Sequence, residues 1–145
     1  MAVTQQTMTD EQRKSVTLEY LKRLDHGQPI FDLFADDAQV YFPKWGLADG
    51  LAEIEKLFSD LGSILSAIKH DYAYFNYIIQ GDYVVVEGTS YGQTAGGVEW
   101  RAGVTHAGRW CDVFEIRDFK IQRCFIYLDP DYAGADTARY PWLNR

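Results

Sequence analysis

Between residues 98 and 116 the chain alternates, residue by residue, between an apolar face and a polar one. From Trp100 every second position reads Trp100, Ala102, Val104, His106, Gly108, Trp110, Asp112, Phe114 and Ile116, and only His106 and Asp112 break the apolar run. The opposite face carries Arg101, Thr105, Arg109 and Glu115, with Cys111 and Val113 among them. A period of two predicts one long, half-buried antiparallel strand. It exceeds the usual strand length, so a bend or bulge is expected near Gly103 or Gly108. With an acid and an imidazole on its apolar face, such a strand can line a pocket.

The remaining elements follow from local signals. Thr9-Asp10-Glu11-Gln12 reads as a capping box opening a helix to about Asp25, with Val16, Tyr20, Leu21 and Leu24 on its buried stripe. Pro29 opens a second, short helix through Phe34, and Asp36-Asp37 ends it. Ala38 to Pro43 forms a short strand. Apolar residues at Leu51, Ile54, Leu57, Phe58, Leu61, Leu65 and Ile68 predict a third helix that frays near Gly62 or Ser66. Strands then follow at 70–79 and 83–93 around the turn Gln80-Gly81-Asp82, and a Gly-rich turn at 94–97 leads into the long strand. A last strand runs from Lys120 to Leu128. Residues 1–8 and 131–145 flank one domain spanning the chain. Three helices followed by a meander of strands make an α+β fold, a curved antiparallel sheet wrapped around helices as a cone with an internal pocket.

Composition narrows the partners. The net charge is −7 without a Lys/Arg cluster, which disfavours nucleic acid and anionic membrane. No apolar stretch is long enough to span a membrane, and no basic region precedes an apolar run at residues 1–9, so the expected address is the cytoplasm. Cys111 and Cys124 form no disulfide framework, and no metal spacing or phosphate loop is present, so neither metal nor cofactor is expected. Parity places Trp110, Asp112, Phe114, Cys124, Ile126 and Leu128 inside the cone. It leaves Cys111, Val113, Phe125 and Tyr127 outside, where a second copy of the chain is expected to cover them as a homodimer.

Several local stretches, taken in order, resemble the nuclear transport factor 2-like superfamily in its SnoaL-like branch. They are Leu24-Asp25-His26-Gly27-Gln28, Leu33-Phe34-Ala35-Asp36-Asp37-Ala38, Gly50 with Ile54 and Phe58, Asp112-Val113-Phe114-Glu115-Ile116, Lys120-Ile121, and Tyr127-Leu128-Asp129-Pro130. The resemblance covers about residues 9–130. That superfamily holds ketosteroid isomerases, scytalone dehydratase, polyketide cyclases, limonene epoxide hydrolases, a lindane dehydrochlorinase and pure binding modules, so it implies a fold and not a reaction.

Two constellations carry chemistry. Asp112 lies between Trp110 and Phe114, where burial would raise its pKa and keep it neutral, able to donate a hydrogen bond to a developing oxyanion. It resembles the isomerase's oxyanion-hole acid, and Tyr20 lies near that enzyme's helix-one tyrosine. The isomerase's general base falls on Phe42, which takes no proton, and this rejects ketosteroid isomerisation. In the dehydratase and dehydrochlorinase branches an Asp after helix one orients a His that abstracts a proton, and the resemblance carries these roles to Asp25 and His70. An imidazole suits proton transfer near neutrality, and a carboxylate fixes its tautomer. His106, Tyr41, Trp45, Trp110, Phe114 and Leu128 complete the expected substrate wall. Glu87 reads as an inward acid paired with Arg101, Arg109 or Arg123. The function expected is a cofactor-free lyase, isomerase or cyclase acting on a small hydrophobic molecule. A non-catalytic ligand-binding or accessory protein with the same pocket is the alternative, and an assembly subunit the third.

Overall fold

A computed structural model describes residues 7–143. The capping box forms as the sequence predicts: the Thr9 hydroxyl accepts from the Gln12 amide at 3.1 Å, and the Gln12 side chain accepts from the Thr9 amide at 2.9 Å. Helix α1 then runs over Asp10–Asp25 and buries Val16, Tyr20 and Leu21.

The second helix shrinks to one 3-10 turn at Phe31–Leu33. Strand β1 already starts at Phe34 and runs over Phe34–Phe42, because Phe34 pairs with Ile121 on the far side of the chain. Two α-helices are therefore present among the described residues, not three. Strand β2, Gly46–Asp49, pairs back onto β1. Helix α2 covers Leu51–Ile64 and stops short of the predicted end. Leu65–His70 is strand β3, paired with the middle of the sheet, so the helical spacing of Leu65 and Ile68 yields to a ladder of long-range hydrogen bonds. His70 closes this strand rather than opening the next, which is the shorter β4, Asn76–Gln80.

Strand β5, Tyr83–Thr94, is the spine of the sheet: β3 and β4 pair along one part of it or another, and the chain at 98–116 follows it in two pieces. These are β6, Glu99–Arg101, and β7, Arg109–Arg117. The expected single strand is thus interrupted. The Ala102 amide donates to the Ser90 carbonyl and the Ser90 amide donates to the Gly108 carbonyl, so both ends of the excursion 102–108 are fastened to one residue of β5. Gly103 and Gly108 take positive φ, 81° and 111°, which lets the chain leave the ladder and rejoin it. Trp100 and Trp110 keep the inward parity on either side, lying over Gly92 and Gly88 of β5.

Strand β8, Lys120–Leu128, pairs antiparallel with β7 and parallel with β1. The sheet order is β2-β1-β8-β7-β5-β3, a mixed, curved and unclosed sheet rather than a purely antiparallel one. Helix α1 packs against β3, β5 and β7, and α2 against β1, β2 and β3. The core between them holds Tyr20, Leu21, Ile54, Leu57, Val84, Val86 and Phe114. Parity on the last two strands is as expected: Trp110, Asp112, Phe114, Cys124 and Ile126 are buried, whereas Tyr127 is half exposed on the outer face. No described helix is long and apolar enough to cross a membrane.

Candidate active site

Asp25 ends α1, and the close of β3 lies beside it. The His70 ring donates from Nδ1 to Asp25 Oδ1 at 2.5 Å, and the His70 amide donates to Oδ2 at 2.9 Å. The Tyr72 hydroxyl donates to the same Oδ2 at 2.7 Å, and the Lys69 ammonium donates to the Asp25 carbonyl. Burial alone would raise the Asp25 carboxyl; the bonds from the His70 ring, the Tyr72 hydroxyl and the His70 amide outweigh it and hold the group below its ordinary range. An ionised carboxylate only accepts, so Nδ1 carries a proton toward Asp25, and Nε2 is the ring nitrogen left for the cavity. Burial, and then the bond it donates to the Asp25 carboxylate, raise the Tyr72 hydroxyl and keep it a donor.

That cavity measures about 550 Å³ and lies between the helices and the concave face of the sheet. Asp25, His70, Asp112, Tyr20, Trp110 and Leu128 all line it, so the sequence-predicted acid, base and orienting residues converge on one space. Apolar side chains from Leu21, Phe31, Phe58, Ile68 and Ile126 make most of its wall. The Trp110 ring stands edge-on to His70 at 5.2 Å and to Phe75 at 5.1 Å, a second contact on the imidazole besides Asp25.

Asp112 faces the same cavity from β7. It is 4% exposed, and no described residue donates a hydrogen bond to its carboxyl. Burial pushes it up to about 8, so the neutral acid prevails at pH 7. The Tyr20 hydroxyl lies beside the Cys124 thiol and Asp112, and burial raises it strongly. The sign of the linkage is set by the unfolded chain, which holds such a carboxyl near about 3.9. Stability from this proton is therefore full below about 3.9 and is lost as the pH rises to about 8. Carboxyl NMR is expected to show Asp112 titrating near 8, and the pH-dependent loss of stability over that window should be smaller in Asp112→Asn. A midpoint near 4 would show a wet, ordinary carboxylate.

Four expected wall residues lie elsewhere. His106 sits in the excursion 102–108, exposed, beside a second cavity of about 240 Å³. Tyr41 points outward, where it packs on Phe125 and Tyr127 at 5.9 and 5.8 Å, because the inward positions of β1 are Val40 and Phe42. Trp45 donates from its indole to Asp60 at 2.9 Å, away from the cavity. Phe114 is fully buried behind Tyr20, ring against ring at 5.5 Å, and supports the wall without forming it. Glu87 is outward too, accepting from Asn76 at 2.9 Å instead of pairing with an arginine. The lining residues that the sequence does not assign to the site include Lys69, Ser90 and Tyr132. Tyr72 is a further partner of the site, through the bond its hydroxyl donates to the Asp25 carboxylate.

A family model described as a SnoaL-like domain matches residues 21–124. The chain belongs to the SnoaL-like domain family. No curated protein matches the sequence. Among solved structures, an NTF2-like protein from Burkholderia xenovorans LB400 is 16% identical, with 88% of this chain and 97% of that one covered and a TM-score of 0.68. TerC, co-crystallised with polyporic acid, is 17% identical over 92% of this chain and 99% of its own, with a TM-score of 0.69. A putative SnoaL-like polyketide cyclase from Jannaschia sp. CCS1 is 14% identical over 86% and 91%, with a TM-score of 0.67. At these identities the likeness is one of fold. The SnoaL-like match contains Asp25, His70, Trp110 and Asp112, whereas Leu128 and Tyr132 lie beyond its end.

Proposed function

We propose that this SnoaL-like protein is a cofactor-free acid–base catalyst of the lyase, isomerase or cyclase type, acting on a small, largely apolar substrate. One observation carries the proposal: a carboxylate-oriented imidazole and a partnerless buried carboxylic acid face the same apolar cavity. His70 Nε2 takes a proton from carbon, and Asp25 stabilises the imidazolium that results. The electron pair released moves to a carbonyl oxygen, which accepts a hydrogen bond from neutral Asp112. Tyr20 supports that end of the cavity.

The register shapes the substrate. His70 stands opposite Ser90 of β5, whereas Asp112 stands opposite Val86. Four residues of strand span about 13 Å before the concave face draws the side chains together. The acidic C–H and the oxygen therefore belong to different parts of the substrate, joined through one conjugated system. Return of the proton to another carbon completes an isomerisation, loss of a leaving group an elimination, and attack on a second carbonyl a ring closure.

The test is protein-catalysed exchange of C–H for C–D in D2O, followed by NMR across a panel of neutral conjugated ketones. At least one ketone that binds is expected to exchange faster with the protein than in buffer. Ketones that bind without any acceleration would leave only the ligand-binding alternative.

The outer face supports a proposal about assembly. Tyr41, Phe125 and Tyr127 form an aromatic cluster there, with the Arg123 guanidinium 3.8 Å over the Phe125 ring, and Tyr127 is 48% and Ile78 67% exposed. Tyr132 of the tail turns to the inner side and does not cover them. A second copy on this face would bury the cluster. Light scattering is expected to give about twice the chain mass, and a Phe125→Lys/Tyr127→Lys variant a monomer or an aggregate; a native chain that stays monomeric at micromolar concentration would contradict the dimer.

A further inference from the structure

Part of the wall at the Trp100 end of the cavity comes from beyond the family-matched span. After β8 the chain makes a compact turn built by its own carboxylates. Asp129 accepts from the Asp131 amide at 2.9 Å, and Asp131 accepts from the amides of Ala135 and Asp136, each at 2.9 Å. Gly134, at φ 69°, lets the turn close. The product is one inserted aromatic. Tyr132 is only 7% exposed and rests on Trp100, with ring centroids 4.7 Å apart, and Trp100 itself lies over Gly92 of β5.

Tyr132 lines both cavities, the main one of about 550 Å³ and the second of about 240 Å³. Among the described residues it is the one that the two linings share. The second cavity is walled on its other sides by Val98, Glu99, Thr105, His106, Ala107 and the turn itself. The ring therefore stands as a partition between them.

We propose that Tyr132 determines specificity by limiting ligand length at the Trp100 end, and that the second cavity is the space a longer ligand would enter if the partition were removed. The proposal rests on the main cavity being the ligand site. A phenol ring held by Trp100 and by a hydrogen-bonded turn is a rigid stop, unlike a loop that gives way. Removing the ring joins the two spaces, and each additional buried methylene of a ligand then contributes to affinity instead of colliding.

The experiment is a fluorescence titration of the full chain with two neutral naphthyl ketones that share a fluorophore. Prodan carries a short acyl group and laurdan a long one. Wild type and Tyr132→Phe are expected to bind prodan and to disfavour laurdan alike, because the ring and not the hydroxyl is the stop. Tyr132→Ala is expected to bind laurdan about 10-fold or more tighter than wild type while its prodan affinity moves less than about 3-fold. Tyr132→Leu keeps an apolar side chain on Trp100 and is expected to fall between; it carries the test if the alanine variant does not fold. A laurdan-to-prodan preference that is the same in all folded variants would overturn the partition and leave the catalytic proposal standing. Wild type that binds neither ketone would overturn both.

Discussion

Replacing His70 with Gln is expected to slow protein-catalysed C–H exchange by about 10²- to 10⁴-fold, the usual contribution of a positioned general base. Gln retains a donor for Asp25 but offers the cavity no basic nitrogen, so binding of the ketone and the melting temperature should change little. Asp25→Ala is expected to do more harm. The Asp25 carboxylate accepts from the His70 ring, the His70 amide and the Tyr72 hydroxyl. Its removal leaves these donors stranded in a buried site, and each unsatisfied buried group costs about 1–3 kcal/mol. Activity should fall with stability in that variant and without it in His70→Gln. Kinetics and melting curves on the two proteins separate the chemical role from the structural one. A His70→Gln protein that exchanges ketone protons at the wild-type rate would remove the base from its assigned place.

Gly92→Ala is expected to be the most destabilising single methyl in the sheet. A Cβ at that position would lie 2.1 Å from the Ala67 carbonyl oxygen and 2.7 Å from the Trp100 ring. The carbonyl is backbone, and it cannot retreat without separating β3 from β5. The loss should be about 3 kcal/mol or more, at the upper end of overpacking effects, and a domain of this size then melts about 6–12 °C lower. Gly88→Ala meets only side chains, Phe75 at 2.8 Å and Trp110 at 2.9 Å, which can turn. It is expected to cost about 1–2 kcal/mol. Because β3 ends in His70, Gly92→Ala should also weaken activity beyond what unfolding explains. Equal melting temperatures for the two variants would show that β3 yields more easily than its pairing implies.

The residues that were legible in the sequence are those whose placement follows from local rules. The capping box at Thr9 and the inward parity of Trp110, Asp112, Cys124 and Ile126 are set within a few residues of each position, and the structure reproduces them. The excursion 102–108 was not legible, because alternation continues through it. Whether a residue stays in the ladder depends on its hydrogen bonds to Ser90, a dozen or more residues away in the chain, and not on its own neighbours. His106 left the site for that reason. Leu65 and Ile68 continue the helical spacing of α2, and pairing with β5 overrode it. Tyr41 was placed in the cavity by its residue type, but the parity of β1 sends it outward. Asp25 and His70 lie far apart in sequence, and nothing in their local patterns joins them; the family resemblance supplied the pairing that the 2.5 Å contact displays.

Raising a carboxyl to about 8 in the middle of the sheet works against folding at neutral pH. That cost sits at a buried acid that faces the cavity with no hydrogen-bond partner among the described residues, where a neutral donor is useful. The measurement that bears most directly on the pairing of base and neutral acid is the pH profile of ketone exchange, in wild type and in Asp112→Asn. Loss of the Asp112 proton should make the wild-type rate fall as the pH rises through about 8, and this alkaline fall should vanish in Asp112→Asn, whose amide donates at every pH. An alkaline limb that is the same in both proteins would contradict the role of Asp112 as the acid.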